Sequence, residues 1–327
     1  AMMGDHMVLQ QNSSVKLWGW ADGKKVTVTT SWNNRTYKVS TDDEGAWLVK
    51  VDTPAGSFTP YSITISDGTR VTLSDILIGE VWICSGQSNM EMTMGQPIDH
   101  SLETLLNAGN YRDRIRFITV PRTKGVKERT DFEGAKWEVS SPETTMDCSA
   151  AGYFFARQLT ETLHLPVGLV INSWGGSRIE AWMTEETLAS VEGANIEAAK
   201  NPKLDTNSRL QCLYNIMLLP VKNFTARGFL WYQGESNLFN YQIYAPMMTA
   251  MVQLWRNVWE APDMPFYYVQ IAPHKYGNSR NINSALLQEA QMKALQTIPN
   301  SGMIPTIDVG DEFCIHPPQK NVVGLRL

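Results

Sequence analysis

The chain has 327 residues, a formal net charge of -5, and a composition with 43% hydrophobic and 19% charged residues. This balance is typical of a folded globular protein and excludes a disordered chain. No basic run exceeds Lys24-Lys25, which argues against a nucleic-acid-binding surface. No apolar stretch reaches the roughly 18–20 residues that a membrane helix needs.

The ends and the cysteines add little about function. No signal peptide is visible at the start, which lacks the basic and apolar segments that such a peptide needs. The last residues, 322–327, predict the opening of a helix that continues in a segment missing from this sequence. Because no Cys-x-x-Cys pair is present, we expect no zinc site, while free thiols and disulfides both stay open. The cysteines are Cys84, Cys148, Cys212 and Cys314.

The first part of the chain predicts short β-strands separated by turn signals such as Asp22-Gly23 and Asp67-Gly68. Short alternating strands at this spacing are typical of a small antiparallel β-sandwich. We therefore predict an N-terminal, jelly-roll-like β-sandwich domain over residues 1–75. The predicted strands are 15–20, 25–30, 36–39, 46–51 and 61–65.

From about residue 76, continuous apolar runs alternate with amphipathic helical stretches. This pattern predicts a parallel sheet covered by helices on both faces, and therefore an α/β catalytic domain over residues 76–327. The predicted strands are 76–83, 115–120, 167–171, 228–232, 266–271 and 303–309. The predicted helices lie near 149–163, 241–259 and 284–297.

Ser88 follows the first of these apolar runs, in the sequence Gly86-Gln87-Ser88-Asn89-Met90. Open α/β sheets bind ligands at the carboxyl ends of their strands, which is where this serine is expected. A serine nucleophile needs a neighbouring base. His316 follows the last predicted strand, so we expect it at the same edge of the sheet.

Two further strand ends carry residues suited to an oxyanion hole, which needs donors aimed at a developing negative charge. Gly175 and Gly176 follow the run 167–171, and glycine lets a backbone N–H approach a ligand closely. Asn237 follows the run 228–232 and offers an amide donor. Glu235 lies beside it as a carboxylate.

Together these blocks resemble the SGNH hydrolase superfamily and, within it, the sialate O-acetylesterase family of carbohydrate esterases. The resemblance implies a flavodoxin-like three-layer catalytic domain, with Ser88 as nucleophile, His316 as base, and no metal or cofactor. The implied oxyanion hole consists of the Ser88 N–H, a Gly175 or Gly176 N–H, and the Asn237 side chain. The matching segments are 7–11, 79–82, 86–90, 174–182, 231–237, 265–273, 289–291 and 315–317.

The resemblance also implies a reaction, the hydrolysis of O-acetyl esters on a sugar through an acyl-enzyme, with sialate 9-O-acetyl esters as the expected substrate. An acetyl-xylan or other polysaccharide acetylesterase is the close alternative, and a degenerate sugar-binding protein is the alternative of another class. We expect an acetylated sugar or glycan as the partner, no nucleic acid, membrane or metal, and a periplasmic or secreted location. The side chains predicted to bind the substrate are Gln87, Asn89, Trp174 and Gln233.

One position departs from the superfamily pattern, which places an aspartate shortly before the catalytic histidine. Those positions hold Phe313 and Cys314 in this chain. Three groups could orient the histidine instead: Glu235, a backbone carbonyl, or Asp311 or Glu312 through a bulged loop. We favour Glu235. An orienting acid fixes the tautomer of the base, so its loss lowers the rate without abolishing the chemistry.

Overall fold

The computed structural model describes residues 2–277 and 282–327 and contains parallel and antiparallel strands flanked by helices. The strands are β1 (Val8–Gln10), β2 (Ser14–Trp20), β3 (Lys25–Thr30), β4 (Arg35–Ser40), β5 (Ala46–Asp52), β6 (Ser57–Ser66), β7 (Arg70–Gly86), β8 (Ile115–Thr119), β9 (Glu138–Val139), β10 (Val167–Ser173), β11 (Gly228–Tyr232), β12 (Phe266–Val269) and β13 (Ser301–Ile304). The α-helices are α1 (Ser88–Glu91), α2 (Ser101–Asn107), α3 (Pro142–Thr145), α4 (Ala150–Leu163), α5 (Glu185–Ala189), α6 (Ile196–Lys200), α7 (Tyr241–Val258), α8 (Asn283–Ala294) and α9 (Lys320–Arg326).

A parallel sheet lies between two helical layers. Its strand order is β13-β12-β11-β7-β10-β8, and β9 pairs antiparallel with β8 at the edge. Successive side chains of β7 face opposite sides. Val81 and Ile83 join the apolar core that includes α7 and α8, whereas Trp82 and Cys84 join the core that includes α4. This arrangement confirms the predicted α/β class, while the flavodoxin-like assignment stays a prediction.

Strands β2 to β6 form two antiparallel sheets, one of which is continuous with the parallel sheet, whereas β1 pairs in parallel with β7. Strands β4, β3 and β6 pair in that order, and β6 then pairs with β7. Strands β2 and β5 form a separate pair. The predicted domain boundary after residue 75 falls inside β7, and both antiparallel sheets contribute to the core that includes α7. A separate N-terminal β-sandwich is therefore not confirmed.

The helices follow the sequence pattern closely, but the last strand is shorter than predicted. Strand β13 ends at Ile304 rather than at residue 309, because Pro305 has no N–H with which to continue the ladder. A loop then carries His316 to α9. All the cysteines are free thiols. Within the described residues, no helix is both long and apolar enough to cross a bilayer.

Candidate active site

Three strand ends meet beside Ser88. Strands β7, β10 and β11 are neighbours, and their register places Gly86 opposite Ser173 on one side and Tyr232 on the other. The chain leaves β7 at Gly86 and enters α1 at Ser88. Because parallel strands end at the same edge of a sheet, the loops that follow these strands surround the serine.

The predicted base lies within hydrogen-bond distance of the predicted nucleophile. His316 Nε2 is 2.8 Å from Ser88 Oγ, and the histidine is half-buried. Burial lowers the pKa of the imidazole, and the charges of Lys320 and His274 lower it further. A neutral imidazole at this distance can accept the hydroxyl proton as the serine attacks.

Gly175 lies directly against Ser88. A Cβ added to Gly175 would be 3.4 Å from Ser88 Cβ, so the backbone approaches the serine because no side chain intervenes. The Gly175 N–H donates to the Glu91 carboxylate, which also pairs with Arg122. This N–H thus already binds an anionic oxygen beside the serine, as an oxyanion donor must. Gly176 follows with a φ of +71°.

Asn237 is buried, and its amide is fixed in orientation. Asn237 Oδ1 accepts hydrogen bonds from the Ile179 N–H at 3.0 Å and from Gln233 Nε2 at 2.7 Å. Asn237 Nδ2 donates to Glu180 Oε2 at 2.8 Å. Since an amide nitrogen carries two hydrogens, one remains for a further acceptor.

The carboxylate predicted to orient the base bonds to another residue. Glu235 Oε1 accepts a 2.6 Å hydrogen bond from Asn89 Nδ2, and burial raises the pKa of the Glu235 carboxyl. Among the described residues, Ser88 is the single hydrogen-bond partner of the His316 ring. The direct hydrogen bond between Glu235 and His316 that the sequence suggested is not formed in this structure.

The other two candidate acids are also engaged elsewhere. The Asp311 carboxylate accepts hydrogen bonds from the backbone N–H groups of Phe313 and Cys314 at 2.7 and 2.8 Å. Glu312 pairs with Lys275 at 3.0 Å. Ser88 and His316 therefore form a hydrogen-bonded pair, or dyad, to which no acid is bonded among the described residues.

Three of the four predicted substrate-binding side chains are buried. Asn89 and Gln233 have no exposed surface, and Gln87 is 3% exposed. Gln87 accepts hydrogen bonds from backbone amides in the turn after β11. Buried amides that bond internally position the backbone and leave little surface for a substrate, so substrate binding by these side chains stays a prediction. Trp174 is half-buried and packs against the core.

Sequence reasoning missed two charged residues beside the dyad. Glu91 lies three residues after Ser88, and that spacing places both on one face of α1, a signal that the sequence carries. Lys320 is fully buried and donates a 2.6 Å hydrogen bond to Asn89 Oδ1. Position in the sequence gives no sign of a buried lysine. In the described part of the chain, no cluster of three His, Cys, Asp or Glu side chains could hold a metal ion.

Comparison with known proteins agrees with this geometry. The family model "Carbohydrate esterase, sialic acid-specific acetylesterase" matches residues 78–316. The sialate O-acetylesterase of Rattus norvegicus is 30% identical over 386 residues, covering 99% of this chain and 70% of the relative. The sialate O-acetylesterase of Homo sapiens is 29% identical over 361 residues, covering 99% and 68%.

One solved structure matches the fold of this protein over nearly the whole chain. The crystal structure of a carbohydrate acetylesterase from Xanthomonas citri matches with a TM-score of 0.88 and 31% sequence identity, covering 99% of this chain and 72% of that one. The match of the family model includes both Ser88 and His316. The chain therefore belongs to the carbohydrate esterase family of sialic acid-specific acetylesterases and is a carboxylic ester hydrolase.

Proposed function

We propose that this protein is a serine esterase that removes O-acetyl groups from sugars by a Ser88–His316 mechanism. The observation that carries the proposal is the 2.8 Å contact between His316 Nε2 and Ser88 Oγ at the carboxyl edge of the parallel sheet. The relatives named as sialate O-acetylesterases and as a carbohydrate acetylesterase support a sugar acetyl ester as substrate.

The chemistry uses the dyad twice. His316 accepts the Ser88 proton while Oγ attacks the acetyl carbonyl, and the imidazolium then protonates the sugar oxygen as the C–O bond breaks. Water, activated by the same imidazole, hydrolyses the acetyl-serine and releases acetate. The oxyanion is held by the Ser88 and Gly175 or Gly176 N–H groups and by Asn237 Nδ2. The Glu91 carboxylate must move away from the Gly175 N–H before that N–H can donate a hydrogen bond to the oxyanion.

Within acetylated sugars, we propose sialate O-acetyl esters, with the 9-O-acetyl ester first, because the named relatives include sialate O-acetylesterases. Acetate release from a panel of O-acetylated sialic acids and acetylated xylo-oligosaccharides tests this choice. Faster hydrolysis of the xylo-oligosaccharides would instead identify a polysaccharide acetylesterase. A periplasmic or secreted location stays a prediction.

The variant Ser88→Ala tests the mechanism. It removes the attacking oxygen but leaves the fold intact, so we expect acetate release from the best sugar substrate and from p-nitrophenyl acetate to disappear. Thermal unfolding of the variant, expected to match that of the wild type, is the control. Turnover at the wild-type rate in a folded Ser88→Ala protein would refute the assignment.

A further inference from the structure

A single buried amide connects the chain on both sides of His316 to the helix that carries Ser88. Asn89 Nδ2 donates to the Ile315 carbonyl at 3.1 Å, and Asn89 Oδ1 accepts a hydrogen bond from Lys320 Nζ at 2.6 Å. Asn89 directly follows the nucleophile, and Ile315 directly precedes the base. The loop that bears the histidine is thus attached to α1 at two points, one on each side of His316.

The same amide bonds to a buried carboxylate. Asn89 Nδ2 also donates to Glu235 Oε1 at 2.6 Å, so the amide lies between an ammonium group and a carboxylate. Lys320 has no exposed surface, and Glu235 is 7% exposed. Removing two charges from water is costly, and a well-packed apolar pair would fill the same space at least as favourably. Stability alone therefore does not explain why a lysine lies here.

The network lies beside His316, to which no acid is bonded among the described residues as the third member of a catalytic triad. Within the described part of the chain, His316 Nδ1 has no acid bonded to it, and Glu235 Oε2 is buried without a hydrogen-bond partner. A base that lacks an orienting acid must be held in another way, because small displacements of a base reduce catalysis strongly.

We propose that Lys320, Asn89 and Glu235 form a positioning network that holds His316 over Ser88 in place of a directly bonded acid. This inference rests on the esterase mechanism proposed above. Lys320 and Glu235 act through Asn89 and through the Ile315 carbonyl, and neither touches the substrate.

The charge of Lys320 also acts on the base. Tyr232, Glu235, Cys314 and His316 surround the ammonium group, with Nζ 5.3 Å from the centre of the Tyr232 ring. Burial lowers the pKa of Lys320, and although the Glu235 charge partly offsets this effect, the pKa falls to about 7. The positive charge in turn contributes to the lowered pKa of His316. Removing the charge should therefore raise the pKa of His316.

The variant Lys320→Met tests the network, with acetate release measured across pH. Because the histidine loses one of its attachment points, we expect kcat to fall by about 100-fold, the scale on which a remote displacement acts, with KM little changed. The acid limb of kcat/KM should move to higher pH, and Lys320→Arg should restore much of both properties. Lys16→Met is the control, because it removes another largely buried lysine, paired with Glu260 at 3.1 Å, and should leave the kinetics unchanged.

The variant Glu235→Gln distinguishes this network from a mechanism in which the Glu235 carboxylate orients His316 directly. Glutamine keeps an oxygen for Asn89, so we expect a loss well below that of Lys320→Met. A loss of about 10⁴, as when an acid bonded to the histidine is replaced by its amide, would overturn the proposal.

The double variant Lys320→Met with Glu235→Gln leaves no unpaired charge buried. It should stay as slow as Lys320→Met, and recovery of the wild-type kcat would overturn the proposal. So would a folded Lys320→Met protein with an unchanged kcat and pH profile. In either case Ser88→Ala would still be inactive, whereas failure of the esterase mechanism itself would leave Ser88→Ala active or the wild type without activity.

Discussion

The two side chains that we propose to react come from distant parts of the chain and meet in a half-buried setting. Ser88 and His316 are 228 residues apart in sequence, and each follows a strand of the parallel sheet. Burial and the nearby Lys320 and His274 lower the pKa of the imidazole. The base is therefore neutral, and able to accept a proton, at pH values where a solvent-exposed histidine is already charged.

This shift predicts the pH dependence of the reaction. Because the pKa of His316 is lowered from its ordinary value of 6.5, protonation removes the base only at lower pH. We expect the midpoint of the acid limb of kcat/KM, which reports on the free enzyme, to lie below pH 6.5. The measurement is hydrolysis of p-nitrophenyl acetate across pH.

The matched control for this pH profile is His164→Asn, at the exposed C-terminal end of α4. Its φ of +53° suits asparagine, and the profile should not change. An acid limb above pH 6.5 in the wild-type protein would contradict this account of the base.

At the scale of residues, strand-end position in the sequence was enough to select Ser88 and His316, and the structure places them in contact. Strand-end position was not enough to predict whether the side chains of neighbouring residues are buried or exposed. Asn89 and Gln233 lie within the same motifs, yet they are buried. The partners of Asn89 lie up to 231 residues away, and no local pattern indicates contacts at that range.

Strand β7 is the element that positions Ser88. Gly86 ends this strand with a φ of +134°, and a Cβ there would lie 2.2 Å from the Tyr232 carbonyl oxygen of β11. Only glycine tolerates both the backbone conformation and the close approach. The position of Ser88 therefore depends on a residue two positions before it that has no side chain.

Gly86→Ala should be strongly destabilising. Overpacking and backbone strain together should lower the free energy of unfolding by at least about 2 kcal/mol, and the displaced serine should lose activity. Urea unfolding gives the measurement. Gly109→Ala is the control, since a Cβ there meets nothing within 4 Å, and its effect should stay within about 0.5 kcal/mol. Equal stability of the two variants would contradict this role of Gly86.

Among the elements, helices α4, α7 and α8 lie close to where the sequence predicts them, and in α4 and α7 a long amphipathic pattern is the strong signal. The boundary inside β7 was harder to predict. Residues 70–75 pair with an antiparallel neighbour and residues 76–86 lie mainly in the buried sheet, so one strand has two sequence patterns. The change of pattern within β7 is the signal that predicts a domain boundary after residue 75.

Hydrogen bonds from buried side chains also connect the first residues of the chain and the start of β7 to the part of the chain that carries β8 and β9. The buried Arg116 of β8 donates to the His6 carbonyl at 3.2 Å and to the Asp75 carboxylate at 3.0 Å. Trp137 Nε1 donates to the Met2 carbonyl at 2.9 Å. The sequence predicts the N-terminal strands and those of the parallel sheet but not these contacts, which depend on how the two sets pack.

We propose Ser88 as the nucleophile of an esterase whose base is His316. Labelling with a fluorophosphonate, followed by mass spectrometry of the peptides, tests it most directly, because only an activated serine reacts readily. We predict a single modified residue, Ser88, with labelling lost in Ser88→Ala and strongly slowed in His316→Ala. Modification of a different serine, or full esterase activity in a protein that does not label, would contradict the account.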